Sequence, residues 1–413
     1  MLGGQRRYPL SEWGATEMEE PITSMPPSTC THRPSHESPL LTLHDSELVL
    51  ALCPPTTLDA WTYGPGEIRE ALRGERLLCP SIELSNKCNL NCPYCYVETV
   101  NSACKATYPD ALDGERLEYL VRQLADAGAK TVNIIGAGEP TVDPELPAIL
   151  ELIATLDMRP LLATNGILLA SRPDLVRLLA ETRASVVLKY NSANPDIQDA
   201  LVRCSGYTSV RDEALRVLCE AGFNDTRPTR LALNTLLMKA NYPEVLSIFE
   251  YCRNENIAVI AGDYMPTGRT PDSEFRGNAA LSSDRQSEKQ VAADLYQSLD
   301  QEERESLRRA AVSRDIELGL PVLPNPAYVS GLPCVQSLGV TVDNRGTIWA
   351  CPARNQIVAG ALVPLPVGDL KQVVSIRDIW SFNPYLRRVR DEYDGGCPYK
   401  KLARTANLGR QGV

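Results

Sequence analysis

The chain has 413 residues, 43% of them apolar, and a formal net charge of −10. That length suits one large core with attachments. The acidic balance argues against a general nucleic-acid or anionic-membrane surface. No stretch approaches 18 consecutive apolar residues, so no membrane span is expected.

Residues 1–40, centred on "PITSMPPSTCTHRPSHESP", read as a flexible arm. Its start has no apolar core of the signal-peptide kind, so the 13 cysteines are expected reduced, in the cytoplasm. The three histidines, His32, His36 and His44, all lie in the first 50 residues. Histidine-based zinc hydrolysis and a Ser-His-Asp triad further along are thereby disfavoured. Residues 41–79 form a short lead-in, with "TLHDSELVLAL" and "GEIREALRG" as small ordered pieces.

From residue 80 an alternation begins. Apolar β-type runs occur at "PSIEL", "TVNIIGA", "RPLLATN", "ASVVLKY", "RLALNTLLM" and "IAVIAGDYM", with amphipathic stretches between them. Such runs separated by helices predict an α/β fold with a parallel sheet covered by helices. The expected unit is (βα)6, a partial barrel or a doubly wound sheet, over 80–320. A charged helical stretch follows at about 283–315. Residues 321–413 change texture and predict a small β-hairpin unit turning at Asp343-Asn344-Arg345-Gly346, with cysteines of its own.

The first strand leads into "ELSNKCNLNCPYCYVE", where Cys88, Cys92 and Cys95 are spaced C-x3-C-x2-C. A structural zinc site takes four closed ligands, so three thiolates on one loop suggest a four-iron cluster with one iron open. A loop at the C-terminal end of a barrel strand is where active sites of βα-barrels gather. The motif, with Tyr94 before its third cysteine, resembles the signature loop of radical SAM enzymes. Three further stretches raise the resemblance, in order along the chain. "GAGEP" (Gly136, Ala137, Gly138, Glu139, Pro140) resembles the GGEP motif, departing from it at Ala137. "TNG" (Thr164, Asn165, Gly166) closes the third strand, and "NYPE" (Asn241 to Glu244) follows the fifth. A dinucleotide-binding reading of "GAGEPT" would need an acidic residue ending the next strand, and that strand ends in Asn-Gly.

The resemblance implies a partial (βα)6 TIM-like barrel in which Cys88, Cys92 and Cys95 hold a 4Fe-4S cluster. S-adenosylmethionine (SAM) would chelate the open iron, the Tyr94 ring would lie against its adenine, and the GAGEP turn would meet its amino group. Lys189, Asn191 and Ser192, at the end of the fourth strand, and Asn234 on the fifth would face the mouth and reach the SAM ribose and carboxylate. Arg269 would sit near the same rim. In the C-terminal unit Cys334, Gly346 and Cys351 form C-x11-G-x4-C, with Cys397 following. This resembles the twitch or SPASM auxiliary-cluster domain and implies one auxiliary 4Fe-4S cluster, with zinc as the alternative. Of the other cysteines, Cys53, Cys79 and Cys219 are expected to pack as small apolar groups. Cys204 is a candidate hydrogen-atom donor.

Enzymes of this resemblance oxidise or epimerise aminocyclitols and sugars, with a flavodoxin or ferredoxin as electron donor. A small polar substrate, of aminocyclitol, sugar or nucleoside type, is the expectation. A maturase of ribosomal peptides is the rival enzyme reading. An iron–sulfur or zinc sensor or scaffold is the non-enzyme one, for which the ordered GGEP-like, TNG and N-x-x-E elements have no purpose.

Overall fold

The computed structural model describes residues 58–84, 86–95, 110–264, 295–320, 338–352, 356–358, 361–363, 366–372 and 375–391, with isolated positions 42, 44 and 45 before them. Cys30, Cys53, Cys104, Arg269, Cys334 and Cys397 lie outside the described residues, as does the expected arm at 1–40.

Six parallel strands form where the apolar runs predict them: β1 (Ser81–Glu83), β2 (Thr131–Ile135), β3 (Arg159–Thr164), β4 (Ser185–Lys189), β5 (Leu231–Leu237) and β6 (Ala258–Asp263). They neighbour one another in chain order, and the sheet is not closed. Helix α1 (Pro65–Arg73) precedes β1, and α2 (Gly114–Asp126), α3 (Leu146–Thr155) and α4 (Pro173–Glu181) connect the first four strands. Two helices rather than one span the gap from β4 to β5: α5 (Pro195–Val202) and α6 (Tyr207–Glu220). Asn194 caps the first of them, its side chain accepting the Asp196 N–H, and Gly206 starts the second at φ +78°. The chain thus stops and restarts within a stretch whose periodicity alone shows only the later helix. Helices α7 (Tyr242–Asn254) and α8 (Gln301–Glu317) follow β5 and β6.

Side chains alternate across the sheet. Leu162, Val186, Leu188, Leu231 and Leu233 face the helices in the main core. Leu161, Val187, Ala232 and Ala258 face inward and pack with Leu58 and Ala60. The lead-in therefore plugs the lower end of the barrel, where the strands begin. Leu58 bridges to Thr229, the Ala60 N–H donates to Ser185 Oγ (3.2 Å), and the Tyr63 hydroxyl donates to Thr131 Oγ1 (3.0 Å).

The C-terminal hairpin, β7 (Thr341–Val342) and β8 (Thr347–Trp349), joins this same sheet. Strand β7 pairs in parallel with β1, with Ser81 opposite Thr341. β8 runs back antiparallel. Strands β9 (Gln356–Val358) and β10 (Ala361–Val363) pair separately, and β11 (Pro366–Asp369) adds to β8. Helices α9 (Ile376–Phe382) and α10 (Pro384–Asp391) close the described chain. No helix among the described residues is long and apolar enough to cross a membrane.

Candidate active site

The cluster loop leaves β1 at the mouth of the barrel and packs directly on the GAGEP turn after β2. Glu139 N–H donates to the Lys87 carbonyl (2.7 Å). A Cβ on Gly138 would stand 1.9 Å from that same oxygen, and one on Gly136 would stand 1.7 Å from the Gly138 carbonyl. Both positions need glycine. Ala137, by contrast, buries its methyl to 2% exposure, so the departure from GGEP falls where a side chain has room. Pro140 opens a turn of 3-10 helix whose first N–H is otherwise an orphan.

Glu139 is buried and collects four donors: Thr141 N (3.1 Å), Thr141 Oγ1 (2.6 Å), Thr164 Oγ1 (2.6 Å) and Asn165 N (2.7 Å). Burial raises its pKa and these donors oppose the shift. Asn165 carries the network back to the cluster loop, Nδ2 donating to Asn89 Oδ1 (2.7 Å). The cysteine loop, GAGEP and TNG are therefore one hydrogen-bonded assembly.

Tyr94 is buried over the mouth beside Leu201, Val202, Tyr207, Met238, Tyr264 and Tyr296, with Cys88, Cys92 and Cys204 packed against the same cluster. Its ring lies 6.2 Å from that of Tyr296. Lys189 points inward as expected. Its ammonium donates to Asn234 Oδ1 (2.7 Å) and sits 5.4 Å from the Tyr94 ring centroid. Burial lowers its pKa to about 7, with Cys92 and Cys95 opposing the shift.

Asn191 and Ser192 are fully buried. The chain turns after Tyr190, and their polar groups are taken up by the β5–α7 junction and α5. Asn191 Oδ1 accepts the Leu236 N–H (3.0 Å), and the Ser192 hydroxyl donates to Glu244 (2.6 Å).

Sequence reasoning missed Trp61 and Asn133, which meet on the barrel floor: Trp61 Nε1 donates to Asn133 Oδ1 (2.9 Å). Asn133 also donates to Cys79 Sγ (3.2 Å) and the Pro80 carbonyl (3.1 Å). Cys79 is buried, yet it sits among polar groups rather than only apolar ones, and burial raises its pKa. The available signal was the amide of Asn133 in the middle of the apolar run "TVNIIGA". Cys219 is half-buried, and Cys252 is fully buried.

The cysteine loop fits a 4Fe-4S cluster on three counts. The donor set is three soft thiolates, and the Leu90 N–H points at Cys88 Sγ (3.4 Å). Burial pushes the Cys88 thiol up to about 12; the Leu90 N–H opposes this, while the charges of Glu139, Cys92 and Cys95 add to it. A thiolate there needs the compensating positive charge of iron. Among the described residues no three His, Cys, Asp or Glu side chains converge on one metal ion. A four-iron cluster needs no such point, since each thiolate binds a different iron. Of the auxiliary cysteines only Cys351 is described, half-buried just past β8.

Residues 82–252 match the radical SAM superfamily. The chain is 28% identical over 194 residues to GTP 3',8-cyclase 1 of Mycobacterium tuberculosis, covering 45% of this chain and 51% of that protein. It thus spans about half the length of that relative. It is 24% identical over 332 residues to the AdoMet-dependent heme synthase of Methanosarcina barkeri, covering 78% and 88%. Among solved structures, Streptococcus suis SuiB bound to its precursor peptide SuiA superposes with a TM-score of 0.54 at 15% identity, over 79% of this chain and 70% of that one. Radical SAM domains use a 4Fe-4S cluster and SAM, and the signature cysteines, the GAGEP turn and TNG all lie inside the matched stretch. Over residues 82–252, this chain is similar to the radical SAM superfamily in sequence and carries its motifs in order.

Proposed function

We propose that the enzyme takes a hydrogen atom from a small polar substrate of aminocyclitol, sugar or nucleoside type, and completes either its oxidation or its epimerisation. The observation that carries the substrate class is the floored barrel. Residues 58–63 close the lower end, and Trp61, Ala163 and Ile260 keep part of their surface exposed while packing on one inward cluster. Above them stand the Lys189 ammonium and the Asn234 amide. Partly exposed apolar and aromatic side chains below a few converging polar groups suit a small ligand.

Bound at the cluster loop, SAM supplies a 5′-deoxyadenosyl radical upon one-electron reduction, and the cofactor carries that chemistry. The chain's own residues do the rest. Cys88, Cys92 and Cys95 would hold the cluster, the GAGEP turn would face the SAM amino group, and Lys189 with Asn234 would orient the carboxylate or ribose. Tyr94, Tyr207, Tyr264 and Tyr296 exclude water from the mouth.

Oxidation is supported by the path of the hairpin. β7 runs parallel to β1 and β8 returns beside it, so the chain reaches Cys351 at the end of the sheet opposite the SAM-binding loop. An auxiliary 4Fe-4S cluster on Cys334, Cys351 and Cys397 would take the second electron from that side. Cys204, in the same cluster of side chains as Cys88 and Cys92, is the candidate hydrogen donor for inversion. A flavodoxin or ferredoxin would supply the first electron.

The test is hydrogen transfer from deuterated candidates, read by mass spectrometry of 5′-deoxyadenosine. Deuterium arriving from an aminocyclitol, sugar or nucleoside supports the proposal. Deuterium arriving only from a peptide would replace it with the maturase reading.

A further inference from the structure

We infer that Trp61 is the platform on which the substrate's ring lies, a specificity-determining residue supplied by the lead-in rather than by a barrel strand. Its indole N–H donates to Asn133 Oδ1 (2.9 Å), so the ring is pinned by one edge while part of its surface stays exposed. Asn133 is held in turn, its Nδ2 donating to the Pro80 carbonyl (3.1 Å), Cys79 Sγ (3.2 Å) and Ser81 Oγ (3.3 Å). The backbone that carries Trp61 is fastened too. The Ala60 N–H donates to Ser185 Oγ on β4 (3.2 Å), the Thr131 hydroxyl of β2 donates to the Ala60 carbonyl, and the Tyr63 hydroxyl donates to Thr131 Oγ1 (3.0 Å). A side chain locked from behind by hydrogen bonds is what a selective contact requires.

Sheet register gives the height of this platform. Asn133 stands level with Leu161 and Ser185. Lys189 stands level with Asn234 and Ile260, four residues further along β4, roughly 13 Å at the rise of a parallel strand. The inward level halfway between them is Ala163, Val187, Ala232 and Ala258. Bulky branched side chains dominate the interior of a filled βα-barrel, and here three of the four are alanine. Leu58 and Ala60 take up part of the space these leave. The exposed surface of Trp61, with that of Ala163 and Ile260 on the same cluster, marks the rest.

An indole face is broad, flat and apolar, and its hydrogen-bonding edge is already engaged with Asn133. A cyclitol or sugar ring turns its hydroxyl and amino groups to the rim and C–H bonds to its faces. Such a face can lie on the indole while every polar group at the rim keeps a partner elsewhere. An open-chain polyol with the same groups has no such face. Trp61 therefore selects for the ring itself, independently of what it carries.

This inference rests on the small-substrate reading. It is tested on the anaerobically reconstituted full chain with SAM present, by equilibrium dialysis of three probes. Two are rings, 2-deoxystreptamine and glucosamine; the third, glucosaminitol, carries an amino group and hydroxyls on an open chain. The wild type is expected to hold the tighter ring about tenfold more tightly than glucosaminitol, equivalent to about 1.4 kcal/mol. Trp61→Leu should bring that ratio close to one, and Trp61→Phe should leave about a third of it. Asn133→Ala, which frees the indole edge, should lower it to about threefold. All three variants are expected to keep their iron and bind SAM as the wild type does. A merely structural Trp61 would move melting temperature and all probes together and leave the ratio alone, which would overturn the inference. Should Trp61→Leu fold poorly, an unchanged ratio in Trp61→Phe and Asn133→Ala would overturn it equally. A wild type that binds rings and open chain alike overturns the platform and leaves the small-substrate reading standing. A wild type that binds no probe and takes deuterium only from a peptide overturns both.

Discussion

A methyl group on Gly138 has nowhere to go. The obstacle is the Lys87 carbonyl, fixed backbone beneath the cluster loop, rather than a side chain that could swing aside. Gly138→Ala must therefore push the cysteine loop off the turn after β2. Its expected effect is a fall of reconstituted iron at the Cys88, Cys92 and Cys95 site to less than about half of wild type, read by iron and sulfide analysis. Ala137→Gly should leave iron unchanged. At this scale the sequence was legible wherever a motif dictates backbone shape. Glu139, Thr164 and Asn165 stand together in one hydrogen-bonded network. The bond from Ser192 to Glu244 was not legible, because it joins a turn past the end of β4 to a helix 52 residues further on. Trp61 was hidden for another reason: nothing near it in sequence shows that a lead-in segment will fold back into the barrel.

The alternating strands and helices were readable because strands such as β3 and β4 are largely apolar and buried on both faces. The second helix between β4 and β5 was not, since caps and a single glycine separate α5 from α6. Elements on the far side of the barrel are tied by polar contacts that no periodicity reveals. Arg253 on α7 and Asp315 on α8 form a buried pair, Nε to Oδ1 2.8 Å and Nη2 to Oδ2 3.2 Å, with both side chains under 5% exposed. Deleting one member strands the other charge away from water. Asp315→Ala is accordingly expected to cost about 3 kcal/mol in denaturant unfolding and to lower the melting temperature by several degrees. By comparison, Glu305→Ala, which breaks the exposed pair with Arg308, should change stability by less than about 1 kcal/mol.

For the molecule as a whole, the proposed oxidation turns on the number of clusters. Anaerobic reconstitution of the wild type is expected to yield about eight irons per chain, falling to about four in the Cys88/Cys92/Cys95→Ala variant. A wild type with about four irons, falling to none, would remove the electron acceptor and with it the case for oxidation. The C-terminal residues read from sequence as an appended unit, and the long-range pairing of Thr341 with Ser81 could not be seen there. Contacts between segments so far apart carry no local signature.

That pairing also sets a timetable. During synthesis β1 can find β2 early, but its other edge stays open until the ribosome has made another 250 or so residues. An open parallel edge invites pairing with other chains, and the strand it belongs to carries the cysteine loop. The β7–β8 hairpin therefore acts as a clasp on the first strand, and iron delivered before the clasp shuts would meet a loop with only one side of its support in place.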